Sequence, residues 1–211
     1  MNPDGPVLVI GAAGIDIKGR PREALQMGVS NAGVVRNSIG GVARNIAENL
    51  ARLEVSTILL SAVGQDPSGD FVLEYTEAAG VDTSYVLRLP QTNTGGYAAI
   101  FDAAGQLVVS ISEYDIVSQI TPGYVQRCRP LFAEASLVAL DVNLSPRTLD
   151  SVFRWARRYG VPVCADPTSP ALATKLIPYL PDLMMVAPDA SEAAVLCDAA
   201  EVPETSAAAI E

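Results

Sequence analysis

Hydrophobic and polar positions alternate along the chain in two rhythms. Val7–Gly11 is a short apolar run ending in glycine, and Thr57–Val63 is a second. Continuous apolar runs of this length, bounded by turn residues, read as buried strands. Between them, Val42, Ile46, Asn49, Leu50 and Leu53 recur at near-helical spacing, which predicts a helix. Asp66–Ala79 reads as a further helix, with Gly80 as its stop. After Pro130 the rhythm is regular. Leu137–Leu140, Val161–Ala165 and Leu183–Val186 read as strands; Pro146–Tyr159, Ser169–Leu176 and Ala190–Cys197 read as helices. Strands separated by helical stretches predict a parallel sheet, and crossover handedness places helices on both of its faces.

Two stretches break the rhythm. Gly14–Gly40 is polar and dotted with glycine, with weak alternation over Val34–Ile39. It reads as an excursion of exposed strands. Tyr85–Leu89, Tyr97–Phe101 and Leu107–Ile111 also alternate, the last two joined by Asp102-Ala103-Ala104-Gly105, and the trio reads as antiparallel strands. Thr121-Pro122 opens a short helix toward Cys128.

Charge and composition narrow the function. The 211 residues carry 14 Lys+Arg against 24 Asp+Glu, a formal net charge of −10. No basic cluster exists to neutralise a nucleic-acid backbone or to seek an anionic membrane surface. Hydrophobic residues make up 49%, enough for a sizeable core and too many for a disordered chain. No apolar run approaches the roughly 20 residues of a spanning helix, and the N-terminus lacks a signal-peptide pattern. The odd, scattered Cys128, Cys164 and Cys197 fit reduced thiols, hence a cytoplasmic protein. Histidine is absent, which excludes Ser-His-Asp and Cys-His mechanisms and argues against a Cys/His zinc site.

Candidate chemistry gathers at predicted strand ends. Gly40-Gly41-Val42-Ala43-Arg44-Asn45 sets two glycines before a helix, so backbone N–H groups and a polar Asn can meet a hydroxyl or an anion. A tight turn with Asn45 on the surface is the plainer alternative. Asp16 lies just past the first strand, where open α/β sheets bind ligands, and a carboxylate can accept from two vicinal hydroxyls; a turn Asp is the plainer reading. Asp141, Asn143 and Asp166 end other strands, and Asp189 and Glu192 open a helix after another. Their convergence on one sheet edge supports a site without naming a reaction.

Taken together, Gly40-Gly41-Val42-Ala43-Arg44-Asn45-Ile46-Ala47 and Gly64 in Ser61-Ala62-Val63-Gly64-Gln65-Asp66, with Asp16 upstream, resemble the N-terminal signature of the ribokinase/PfkB carbohydrate-kinase family. The resemblance runs from Val7 to the helix near Glu192. Asp16-Ile17-Lys18-Gly19, Ser30-Asn31-Ala32-Gly33 and the segment Gly41–Leu50 are most similar to the pseudouridine kinase branch. It implies a three-layer α/β/α fold with a mostly parallel sheet. It also implies a β-strand lid, here about residues 15–39 and 94–111, that closes over the substrate, excludes water and often dimerises. The implied reaction is phosphorylation of a sugar or nucleoside hydroxyl, the pseudouridine 5′-hydroxyl first, with ATP and Mg2+. Asp16, Gly41 and Asn45 are the implied sugar contacts. Gly40 and Asn143 join them from the strand-end reading, and Lys18, Asn31 and Tyr97 are lid candidates for a uracil edge. Asp189 and Glu192 occupy the family's Asn-x-x-Glu position, which helps organise magnesium and phosphate.

Three departures stand out. Glu54 replaces a family glycine after the helix; a left-handed backbone there costs about 1 kcal/mol relative to Gly. Asp189 replaces Asn. The family's Gly-Ala-Gly-Asp segment, which supplies the anion hole and the catalytic base, is absent; the last glycine is Gly160. The expected reading is therefore residues 1–211 as the N-terminal part of such a kinase domain, its fold incomplete at the C-terminus, inactive alone and poorly ordered toward its end. Another sugar or nucleoside kinase of the family is the alternative within enzymes (ribose, a 2-keto-3-deoxy sugar acid, adenosine). Lys18 and Arg44 would favour the acidic sugar if they face the site. A non-catalytic sugar- or nucleoside-binding module is the alternative outside enzymes.

Overall fold

The computed structural model describes residues 2–197. The expectation of a poorly ordered end falls on residues 198–211, outside the described ones.

The chain runs β1 (Val7–Ile10), β2 (Gly14–Pro21), β3 (Gly33–Gly40), α1 (Val42–Arg52), β4 (Thr57–Gly64), α2 (Pro67–Ala78), β5 (Val86–Leu89), β6 (Gly95–Phe101) and β7 (Leu107–Glu113). It continues through α3 (Pro122–Arg127), α4 (Arg129–Glu134), β8 (Leu137–Asp141), α5 (Pro146–Tyr159), β9 (Val163–Asp166), α6 (Pro170–Ala173), β10 (Met185–Val186) and α7 (Ala190–Leu196). Six strands form a sheet of order β10-β9-β8-β1-β4-β5, and every neighbouring pair in it is parallel. The central strand β1 is buried throughout and shows why its run is uninterrupted. Leu8 and Ile10 enter one core with residues of α3, α4 and α5. Val7 and Val9 enter another with Ala43 and Ala47 of α1. Two cores on opposite faces of one parallel sheet make the expected three layers.

The helix ends follow their local chemistry. Asp66 caps α2 by accepting from Gly69 N–H at 2.7 Å, with Pro67 at the first helical position. Ser145 caps α5 by accepting from Thr148 N–H, and Gly160 closes that helix in the left-handed region. α1 begins differently. Gly41 precedes it with φ +92° and no side-chain cap, so other groups must meet its first N–H groups.

A second, four-stranded sheet of order β3-β2-β6-β7 stands over the C-terminal edge of the first. The β2–β3 and β6–β7 pairs are antiparallel and β2–β6 is parallel. This corrects the reading of three antiparallel strands. The Tyr85–Leu89 segment forms β5, which pairs in parallel with β4 as the edge of the main sheet. The segment 169–176 is also shorter as α-helix than its periodicity suggests. Helix α6 stops at Ala173 and a 3-10 helix follows from Thr174 to Asp182, where Pro178 and Pro181 cannot continue the α-helical ladder.

Candidate active site

The cleft lies between the two sheets, with a volume of about 750 Å³. Asp16, Gly41, Asn45, Tyr97, Asn143, Asp189 and Glu192 all line it. Residues about 170 positions apart in sequence meet there because β1, β8 and β9 and the strand leading into α7 end on one edge.

Asp16 reaches the cleft from β2, directly opposite Tyr97 of β6, which in turn faces Ser112 of β7. Lys18, two residues on along the same face, pairs with Asp16 at 3.2 Å. Beyond it, Lys18, Arg20, Arg22 and Arg36 line a hollow of about 600 Å³ that runs outward along the lid sheet. Gly40 is needed for close approach. A Cβ there would sit 2.1 Å from a carboxylate oxygen of Asp16. A Cβ at Gly41 would meet the Ala12 carbonyl oxygen at 2.4 Å, on top of the positive φ.

Asp141 organises the floor. It is fully buried at the end of β8. One carboxylate oxygen accepts from the N–H groups of Ala12 (2.8 Å) and Ala43 (2.9 Å). The other accepts from the Asn143 N–H and the Asn143 Nδ2, each at 2.9 Å. The Ala43 bond is the missing cap of α1. Burial pushes the Asp141 pKa up, against the N–H donors that favour its anion. Lys175 holds the next loop by donating from Nζ to the carbonyls of Val142 (2.9 Å) and Leu144 (3.1 Å). Thr168, in the left-handed region at φ +67°, accepts from Val142 N–H at 3.2 Å. A β-branched residue there is strained, and Thr168 lines the cleft.

Asp189 and Glu192 form a reciprocal capping box at the start of α7. Asp189 Oδ1 accepts from Glu192 N–H and Glu192 Oε2 accepts from Asp189 N–H, both at 2.8 Å. Replacing Asn by Asp at 189 thus keeps the cap. Burial, with Asp189 and Asp166 nearby, pushes the Glu192 pKa up; the Ser191 hydroxyl and Glu192 N–H hold that of Asp189 down. Among the described residues no group of three His, Cys, Asp or Glu is placed to hold a metal. The Asp189–Glu192 pair keeps one carboxylate oxygen on each residue outside the box. Two such oxygens could join a divalent cation only together with ligands from phosphate oxygens and water.

Lys18 and Asn31, both expected at the ligand, do not line the cleft, and neither does Arg44, the candidate cation for an acidic sugar. Asn31 is used up by its own turn, accepting from Gln26 N–H and donating to the carbonyls of Gln26 and Val29. It lines a separate hollow with Met27 and Val35. Arg44 is buried, pairs with Glu48 and donates from Nε to Thr76 at 3.0 Å, so it offers no free charge to a ligand. Tyr114, Thr168, Ser110 and Ser112 line the cleft without having been singled out in the sequence. The Tyr114 ring lies against Gly14 and Gly95, where a Cβ would come within 2.8 and 2.6 Å of it. Burial, with Asp16 and Asp141 nearby, raises its pKa.

A parallel sheet with helices on both faces, a smaller second sheet over its C-terminal edge and a cleft between them lined by Asp16, Asn45 and Asn143 define a ribokinase-like fold. Residues 5–211 match the model of the pfkB family carbohydrate kinase, and the chain belongs to that family. It is 35% identical over 190 residues to the pseudouridine kinase of Escherichia coli, covering 90% of this chain and 60% of that protein. The chain therefore spans about 60% of the length of this curated relative. Among solved structures, a carbohydrate kinase from Agrobacterium tumefaciens superposes with a TM-score of 0.82 at 30% identity, over 91% of this chain and 63% of that one. The Arabidopsis thaliana ribokinase complexed with ribose and ATP shares the fold, with a TM-score of 0.76 at 20% identity over 100% of this chain and 68% of that one.

Proposed function

We propose that this protein transfers phosphate from ATP to a hydroxyl of pseudouridine, the chain of residues 1–211 supplying the sugar cleft and its lid. One observation carries the reading: Asp16, Gly41, Asn45 and Asn143 meet at one edge of the parallel sheet beneath the second sheet. The carboxylate of Asp16 accepts from ribosyl hydroxyls. The lid strands cover them and exclude water from the transferring group. The likeness to the Escherichia coli pseudouridine kinase supports the nucleoside over a free sugar. ATP with Mg2+ supplies the phosphoryl group; Asp189 and Glu192 would face its phosphates from the N-terminal end of α7. No Gly-Ala-Gly-Asp segment occurs in the sequence, so the hydroxyl proton has no assigned acceptor in this chain, and the chain's own share is binding and orientation.

The lid cations favour one second reading. Lys18, Arg20, Arg22 and Arg36 line a separate hollow of the second sheet, joined to the cleft by the Lys18–Asp16 pair, which suits a sugar acid. Calorimetric titration of the 211-residue protein with pseudouridine, uridine, ribose and 2-keto-3-deoxygluconate separates the readings. Pseudouridine is expected to bind at least about tenfold tighter than the others, a difference of about 1.4 kcal/mol. Tightest binding of the acid establishes the second reading, and no binding of any of them removes both.

A further inference from the structure

The cleft holds two asparagine amides whose orientation is set from behind by a buried charge. The Arg44 guanidinium has only donors, and its Nη1 lies 3.1 Å from Asn45 Oδ1. Arg44 is itself immobile, held by Glu48 and by the Thr76 hydroxyl. Turning the Asn45 amide over would set Nδ2 against that guanidinium. On the other side, Asn143 Nδ2 donates to Asp141 Oδ1. Turning that amide over would set its oxygen against a carboxylate. The loop beneath it cannot shift to compensate, because Lys175, Thr168 and Asp141 hold its backbone at Val142, Asn143 and Leu144.

We infer that the cleft reads its ligand through these two amides in opposite senses. Asn45 offers its Nδ2 as a donor and Asn143 its Oδ1 as an acceptor, with Arg44 and Asp141 as the positioning residues that set each sense. The inference deepens the proposed function and rests on it for the identity of the ligand. Its content is a donor–acceptor code. The group meeting Asn143 must carry a proton, as a hydroxyl or a ring N–H does, and the group meeting Asn45 must present a lone pair. A nucleoside or polyol, whose hydroxyls donate and accept, meets both demands.

Side-chain amide NMR on the 15N-labelled 211-residue protein tests this without requiring turnover. In the wild type, one Asn143 Nδ2 proton should be shifted downfield and exchange slowly, while the Asn45 Nδ2 protons exchange freely. Pseudouridine should then shift the Asn45 protons and leave the Asn143 proton protected. Asp141→Asn should speed exchange at Ala12, Ala43 and Asn143 by at least about tenfold and weaken pseudouridine binding by about the same factor, the scale of one lost hydrogen bond to a charge. Amides of Val152 in α5 and Cys164 in β9 should keep their rates. Acceleration across those elements as well would show a merely structural role and overturn the inference, as would a freely exchanging Asn143 amide in the wild type. Should Asp141→Asn fail to fold, Arg44→Met is the second variant, because Glu48 keeps its pairing with Arg52. It should let the Asn45 amide turn over, moving its side-chain shifts toward those of a free asparagine and weakening pseudouridine binding, and unchanged shifts with unchanged affinity would overturn the inference. If the wild-type amides behave as stated but pseudouridine does not bind, the proposed substrate fails and the polarity of the two amides stands.

Discussion

The Asp66 carboxylate grips Thr94 at two points, accepting from its N–H at 2.7 Å and from its hydroxyl at 2.7 Å. The same carboxylate caps α2, and Thr94 immediately precedes β6. One side chain thus ties the main domain to the root of the second sheet. Gly64 completes the joint: its N–H donates to the Thr94 hydroxyl, and a Cβ on it would lie 2.5 Å from the Asp66 carboxylate. Burial opposes the charged form of Asp66, but hydrogen bonds from Thr94 and Gly69 outweigh it and hold its pKa below the ordinary value. A depressed carboxylate pKa contributes stability that is full above the ordinary pKa and is lost as pH falls through the folded-state value. Asp66→Ala should therefore lower the melting temperature at neutral pH. The difference from wild type should shrink toward zero as the pH is taken below about 4. A constant difference from neutral to acid pH would show that the charge of Asp66 carries none of the effect.

Gly40 and Gly41 are adjacent but are glycine for different reasons, and their alanine variants should separate accordingly. At Gly40 the obstructing atom is the end of the Asp16 side chain, which can swing away. Gly40→Ala should leave thermal stability nearly unchanged and weaken sugar binding as Asp16→Ala does, by about 1.5–3 kcal/mol, the scale of hydrogen bonds to a charged group. At Gly41 the obstructing atoms are the Ala12 and Ala13 backbone, and φ is +92°. Gly41→Ala should cost folding stability, by upwards of about 1 kcal/mol from the left-handed strain alone. Thermal melts and calorimetric titrations of the two variants check the split. Equal melting losses would contradict it.

Glu54 stands at φ +63° after the C-terminus of α1, its N–H donating to the Ala51 carbonyl at 2.9 Å. The left-handed conformation that the family's glycine suits is thus occupied by a residue with a Cβ. Its side chain makes no ion pair that would compensate, among the described residues. Glu54→Gly should stabilise the protein by about 1 kcal/mol. In a domain of this size that raises the melting temperature by about 2–4 °C. A lower melting temperature would mean that the entropy gained by the unfolded chain outweighs the relief of strain.

The elements with one strong local signal were legible in the sequence. β1 is a continuous apolar run because both its faces are buried, and α5 carries a Ser145-Pro146 start and a Gly160 stop. β5 was misplaced because alternation over Tyr85–Leu89 records burial of one face and says nothing of which strand lies alongside. In the site, Asp16, Gly41, Asn45 and the strand-end polar residues were readable, since sheet ends and helix starts can be placed from pattern. The strand-end position placed Asn143 at the ligand, but the inward turn of Asp141 was not readable. They sit two residues apart at one strand end, and only the N–H groups of Ala12 and Ala43, about a hundred residues upstream, draw Asp141 inward. Whether Arg44 faces the site stayed open for the same reason, its partner Thr76 coming from a different helix. Tyr114 and Thr168 had no local signal beyond their nearness to strand ends.

The second sheet has an outer face as well as an inner one, and the register shows what occupies it. Ile17 stands opposite Ala98, which faces Ile111; Gly19 stands opposite both Val35 and Ile100, and Ile100 faces Val109. Asp16, Tyr97 and Ser112 point the other way, toward the cleft. Ile17, Val35, Ile100, Val109 and Ile111 thus share one face, and Val35 and Ile111 are 71% and 70% exposed. A contiguous apolar patch on an otherwise acidic protein marks an interaction surface. A second copy of the same sheet would supply a matching apolar face, as the dimerisation implied by the family resemblance requires. Sedimentation velocity of the wild type should show a dimer. Val35→Lys combined with Ile111→Lys should give a monomer with an unchanged circular dichroism spectrum, because neither side chain contributes to either core. Dimers that persist in the double variant would place the contact elsewhere. A wild type that stays monomeric at every concentration reached would leave this face without its second copy and sink the prediction.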